Sequence, residues 1–199
     1  ALFMYRFTNQ KNLRAVYRSN NTAPTISQLQ NVVNNSNPLQ LTTGNPNLRQ
    51  DWQNNFFARY SSVNIARSIS FFGMAGFTYT ADYIANSVLY ATNDTVTTDG
   101  IALGAGSQLT RPVNLDGFYN FRTFANYSFP ISQIKCNLNL NIGGTFSHTP
   151  GLISNNVNYA NSTMANTGFA LTSNVSEKFD FSVSSSVSYN NISNTLQSE

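Results

Sequence analysis

The chain has 199 residues, a mass of 22.0 kDa and a net charge of +3, yet only 10% of it is Asp, Glu, Lys or Arg, where soluble globular chains carry about a quarter. Apolar residues reach 41% and aromatics 13%, and the polar remainder is mostly uncharged, with about 30 Asn and about 40 Ser plus Thr. The eight Arg and three Lys form no basic run, which argues against nucleic acid as a partner. The single cysteine, Cys136, excludes an internal disulfide and a Cys-based zinc cluster, and reads as a small apolar strand residue. Mean hydropathy is −0.25, and no stretch approaches the ~18 to 20 unbroken apolar residues of a membrane-spanning helix, so a helical membrane protein is excluded. A transmembrane β-barrel is not, because its strands show an apolar residue to lipid only at every second position.

In chain order, weak alternation over residues 1–8 and 12–19 predicts two strands joined by a short polar turn at 9–11, followed by a long link over about 20–50. Residues 52–62 predict a third strand, with a turn at 63–67. Residues 69–83 alternate cleanly, Ile69, Phe71, Ala75, Phe77, Tyr79 and Tyr83 opposing Ser68, Ser70, Thr78, Thr80 and Asp82. After a second long link, about 88–110, residues 115–129 carry Tyr119, Phe121, Ala125, Tyr127 and Phe129 on one parity and Asn114, Asp116, Asn120, Arg122 and Asn126 on the other. A turn at 130–133 leads to 135–148, where Cys136, Leu138, Leu140, Ile142 and Phe146 oppose Asn137, Asn139, Asn141, Thr145 and Ser147. A third link is expected at 149–156, then a strand over 156–175, a turn at 176–178, and a last strand in which Phe179, Phe181, Val183, Val187 and Tyr189 oppose Asp180 and a serine row.

The resulting fold class is all-β: an antiparallel up-and-down meander of about eight strands, part of a larger transmembrane β-barrel. A soluble β-sandwich also alternates, but three features favour the barrel. The polar face is Asn, Ser and Thr rather than charged, which suits a wet lumen. Lys11, Lys135 and Lys178 all lie at or next to the predicted short turns, where an ammonium reaches headgroups. Apolar-face aromatics cluster towards strand ends, Phe71 against Tyr79 and Tyr83 and Tyr119 against Tyr127 and Phe129, as in the girdles of a membrane barrel.

From Asn12 the sequence runs NLRAVYRSNNTAPTISQLQNVVNNSNPLQLTTGNPNL. It carries Arg14, Tyr17 and Arg18 on a strand, then Ala23-Pro24-Thr25 with Gln28-Leu29-Gln30, then Asn37-Pro38-Leu39 and Asn45-Pro46-Asn47-Leu48. This resembles the outer-membrane β-barrel family of TonB-dependent receptors of Gram-negative bacteria. Where that family commonly continues Lys-Pro-Glu, this chain has Arg49-Gln50-Asp51 and loses the proline. The resemblance implies a barrel of about 22 strands around a plug, embedded in outer-membrane lipid, energised by an inner-membrane coupling protein through the plug, and importing a small ligand. Ala1 opens directly into strand-like sequence without an initiator Met, and residues 195–199 stop in mid-polar sequence. Residues 1–199 are therefore expected to be a partial barrel domain, with plug, signal peptide and terminal strand outside it.

Parity places Arg6, Arg14, Arg18, Arg59 and Arg122 opposite the apolar face, towards the lumen of a barrel, together with Asp82, Asp116 and Asp180. Avoidance of lipid alone accounts for that parity, since an Arg at the bilayer midplane costs about 2–4 kcal/mol. Beyond it, guanidinium can pair with plug carboxylates or steer an anionic ligand. No catalytic site is expected: His148 reads as a rim residue just before Thr149-Pro150-Gly151, and Gly104-Ala105-Gly106 lacks the strand-to-helix context of a dinucleotide site. Asp94 and Asp99 are too few for a Ca²⁺ site, and no metal or other cofactor is implied. The Asn-x-Ser/Thr sequons, as at Asn93 and Asn161, are as frequent as this composition produces by chance. Ligand specificity is expected in the links 20–50 and 88–110. The rival readings are a complete eight-stranded outer-membrane barrel acting as anchor or adhesin, and an Asn/Ser-rich soluble adhesive β-domain.

Overall fold

The computed structural model describes residues 1–173 and 180–197. The strands, in chain order, are β1 (Leu2–Thr8), β2 (Lys11–Thr22), β3 (Gln40–Thr42), β4 (Asp51–Asn64), β5 (Ile69–Ala81), β6 (Tyr83–Tyr90), β7 (Thr95–Val96), β8 (Ala102–Leu103), β9 (Gln108–Leu115), β10 (Phe118–Ile131), β11 (Cys136–Ile153), β12 (Asn156–Ser173) and β13 (Ser182–Asn194). One α-helical turn, α1 (Ile26–Leu29), lies between β2 and β3.

Eight of these strands form the expected meander, in the order β1-β2-β4-β5-β10-β11-β12-β13, with every neighbouring pair antiparallel. Seven of the eight have 12 to 18 residues, more than the roughly 9–11 needed to cross a bilayer at barrel tilt. The sheet does not close: β1 pairs only β2, and β13 pairs only β12. Short turns join the strands at one end. Two residues, Asn9 and Gln10, connect β1 to β2, and four-residue turns follow at 65–68 and 132–135. Lys11 and Lys135 lie at these turns, Lys135 with φ 48°; the turn expected at 176–178, with Lys178, and Phe179 lie outside the described residues.

Register makes one face continuous across the sheet. Tyr17, Phe56, Phe77, Phe121 and Phe146 stand in one cross-strand row. The next row inward is small, Ala15, Ala58, Ala75, Thr123, Gly144 and Ala165. Towards the short turns aromatics return, with Tyr5, Phe7, Tyr60 and Phe71 in successive ring contacts of 4.7, 6.2 and 5.9 Å. Among the described residues, most of the exposed large apolar side chains belong to this face. An apolar surface of that extent, uncovered by any second layer, calls for a hydrocarbon environment rather than water.

The packed hydrophobic core among the described residues lies elsewhere, in the connections at the opposite end. Leu41, Ala91, Leu103 and Leu109 are buried together, with Val33, Leu89 and Ile101 against them. The links after β2 and after β5 therefore fold into one lobe: β6 pairs antiparallel with β9, β9 pairs parallel with β3, and β6 meets the end of β11 at Leu152 and Ile153. The link expected at 149–156 is not a long loop. β11 runs on to Ile153, and a two-residue turn at Ser154 and Asn155, both with positive φ, leads straight into β12. That is the backbone of a type I′ hairpin, which asparagine tolerates; Pro150 and Gly151, the basis for expecting a loop, sit inside the strand pairing with Tyr159 and Asn158.

Candidate binding surface on the polar face

The expected arginines share one face. In β2 the even positions Asn12, Arg14, Val16, Arg18 and Asn20 lie opposite Ser61, Arg59, Phe57, Asn55 and Gln53 of β4. Arg14 and Arg59 are thus direct cross-strand partners, an arrangement that is unfavourable between like charges. Arg18 stands two pairs further along the same face, beyond the Val16–Phe57 pair, and the three arginines line a hollow of about 470 Å³ together with Phe57 and Val16. On its far side, a Cβ built on Gly76 falls 3.8 Å from Phe57 Cδ2 and 3.9 Å from Arg122 Cγ, so only bare backbone separates the ring from the Arg122 stem. Arg6, opposite Asn12, stands apart near the short turns.

Ion pairing among the described residues joins Arg49 to Asp82 and Arg111 to Asp99, the latter at 2.6 Å. None of Arg6, Arg14, Arg18, Arg59 and Arg122 has a carboxylate partner there. The amides beside them are engaged: Asn55 Nδ2 donates to Gln53 Oε1 at 3.2 Å, and Asn55 Oδ1 accepts from Thr78 Oγ1 at 2.9 Å. The guanidiniums therefore rise from a hydrogen-bonded wall that supplies no counter-charge.

This face is less polar than its sequence pattern suggests. Phe57, Phe72, Met74 and Phe124 share it, with Phe72 and Phe124 rings 6.3 Å apart. The signal was present in the doublets Phe56-Phe57 and Phe71-Phe72, since adjacent strand residues must face opposite ways. Asp82 and Asp116, expected among the inward carboxylates, are instead hinge residues. Asp82 has φ 52° between β5 and β6, its backbone N–H donates to Asp116 Oδ1 at 3.0 Å, and its carboxylate holds Arg49. Asp180 is exposed and accepts from Ser173 Oγ at 3.2 Å.

The motif residues between β2 and β4 build the lobe. Thr25 caps α1 in a reciprocal capping box with Gln28, whose side chain accepts from the Thr25 N–H at 2.9 Å. Gln28 carbonyl accepts from Asn45 N–H at 2.6 Å and Gln30 carbonyl from Gly44 N–H at 3.0 Å, which folds the Asn45-Pro46 segment back on the helix. Asn45 Nδ2 reaches Pro112 carbonyl at 3.0 Å, and Asn37 Oδ1 accepts from Leu39 N–H at 3.0 Å just before β3. Pro24 and Leu29 are half-buried, while Pro38 is exposed. At the hinge, outside the long strands, Tyr83 stacks on Phe118 at 4.4 Å; burial, reinforced by the Asp51 carboxylate, pushes its phenol above the ordinary value.

His148 does not end its strand. It lies within β11 on the apolar face, stacked between Tyr119 and Tyr159 at 4.8 and 4.5 Å, with Nδ1 2.6 Å from Asn161 Oδ1. Asp94 accepts from Ala105 N–H at 2.7 Å and Asp99 holds Arg111, so each loop carboxylate has a partner of its own. Among the described residues no group of three or more His, Cys, Asp or Glu is placed to hold a metal ion.

No curated protein matches the chain. The family described as the outer membrane protein beta-barrel family matches over residues 1–199. With an open antiparallel sheet of bilayer-spanning strands, aromatic on one face and carrying arginine on the other, the chain belongs to that family and is a β-barrel protein of the outer membrane.

Proposed function

We propose that residues 1–199 form a section of the barrel wall of a TonB-dependent receptor that takes up a small ligand through the outer membrane, without catalysing a reaction. The observation that carries this reading is the open sheet with an unfilled inner face. A closed eight-stranded barrel fills its interior with its own side chains. Here Arg18, Arg59, Phe57 and Arg122 stand exposed on that face, and both outer strands keep a free edge. Eight strands in 199 residues is roughly 25 residues per strand, so a barrel of about 22 strands needs roughly 550 residues, or about 60 kDa. Such a lumen accommodates a plug contributed by the same polypeptide. The resemblance of residues 12–48 to the receptor family supports the same reading.

The test is to capture the native polypeptide from outer-membrane fractions of the source cells with an antibody to residues 20–50. A chain of about 60 kDa or more that retains the inner-membrane energy-coupling protein is expected. A chain near 22 kDa without that protein overturns the reading in favour of a small closed barrel serving as anchor or adhesin.

A further inference from the structure

We propose that Arg14, Arg18 and Arg59, arranged around Phe57, form a binding site on the lumen wall for an organic anion that carries two or more carboxylate or phosphate groups on an aromatic or apolar body. Avoidance of lipid explains why these arginines point inward, but not why they gather. Arg14 and Arg59 are direct partners across β2 and β4, where like charges oppose folding, and no carboxylate of the described residues offsets them. Other inward positions along the same strands, such as Asn12, Asn20 and Ser61, carry no charge, so the basic residues are concentrated rather than spread.

The hollow fits the ligand class in charge and shape. Planar guanidiniums grip carboxylate or phosphate oxygens in bidentate fashion, and three of them border a single hollow of about 470 Å³, a volume suited to a small organic molecule. Phe57 and Val16 line it as well, an apolar surface that a bare inorganic ion leaves unused. Beyond the hollow, Gly76 puts no side chain between the Phe57 ring and the stem of Arg122, a fourth cation on the same face. Asn55, held between Gln53 and Thr78, fixes the wall beside Arg18.

The site needs the lumen-facing orientation of this sheet face and does not depend on energised import. It is tested by equilibrium binding, without any coupling protein, on the intact outer-membrane polypeptide in an uncharged detergent. The probes are benzene-1,3,5-tricarboxylate, inorganic pyrophosphate and glucose, read by calorimetry and by the shift of the unfolding midpoint. Tricarboxylate is expected to bind more tightly than pyrophosphate, and glucose not at all. Arg14→Gln or Arg59→Gln should weaken tricarboxylate binding at least about tenfold, and Phe57→Ala should weaken tricarboxylate while leaving pyrophosphate unchanged. Removing one member of the Arg14–Arg59 pair should leave the ligand-free protein as stable as the wild type or more so, the opposite of a merely structural role. Arg14→Lys, which keeps the charge but not the planar fork, should bind between the wild type and Arg14→Gln. Absence of tricarboxylate binding to the folded wild type, as when carboxylates of the same polypeptide already occupy the arginines, overturns the proposal, and so does binding that survives both Gln substitutions.

Discussion

Arg14 and Arg59 show how one residue type means different things at different neighbours. Arg49 and Arg111, on the lobe, each hold a carboxylate, whereas across β2 and β4 Arg14 faces Arg59 and Arg18 faces the neutral amide of Asn55. The sequence pattern was enough to place the wall arginines, because strand period alone assigns a face. It was not enough to pair Arg14 with Arg59, which depends on the register between β2 and β4, two strands joined by a long link that leaves their register open in the sequence. Thr25 and Gln28 are a second residue-scale case. Their capping box ties the start of α1, and Gln28 carbonyl then holds Asn45, so the motif acts by folding the lobe. Thr25→Ala is expected to cost about 1 kcal/mol locally. Hydrogen exchange should quicken at Gln28 and Leu29 while the global unfolding midpoint stays put; unchanged exchange there would remove the cap from the account.

At the scale of elements, alternation in β5, β10 and β11 made the strands legible, and their pairing follows with the apolar parities in register. The lobe was hidden for a physical reason. Its core takes Leu41 from one link and Ala91, Leu103 and Leu109 from another, two spanning strands apart, and no periodicity within either link announces it. The hairpin at Ser154–Asn155 was masked by Pro150 and Gly151, which usually punctuate loops but here lie in the β11–β12 ladder. Adjacent residues of β10 give a clean test of facing. Ala125, between Gly73 and Ile142 on the apolar face, should lose about 2–4 kcal/mol of folding free energy in lipid when replaced by Arg. Asn126→Arg, on the opposite face between Phe72 and Asn141, should change it by less than about 1 kcal/mol. Urea titration of the protein refolded into vesicles measures both, and equal losses would contradict the assignment of faces.

For the whole molecule, the apolar surface and the packed core have changed places relative to a water-soluble domain. The buried cluster sits in the lobe at one end, while the long sheet keeps its aromatic rows outward and its arginines on the other side. A bilayer around the aromatic rows and a wet lumen behind the arginines satisfy both faces at once. The most direct measurement places a nitroxide at each position from 119 to 129 of β10, in a Cys136→Ser background of the intact polypeptide in lipid vesicles, and compares collision with oxygen and with a water-soluble nickel complex. Oxygen accessibility should peak at the odd positions, Tyr119 through Phe129, and nickel accessibility at the even ones, Asn120 through Ser128. Uniform nickel accessibility along the strand, or peaks on the reversed parity, would contradict a barrel wall with its arginines in the lumen.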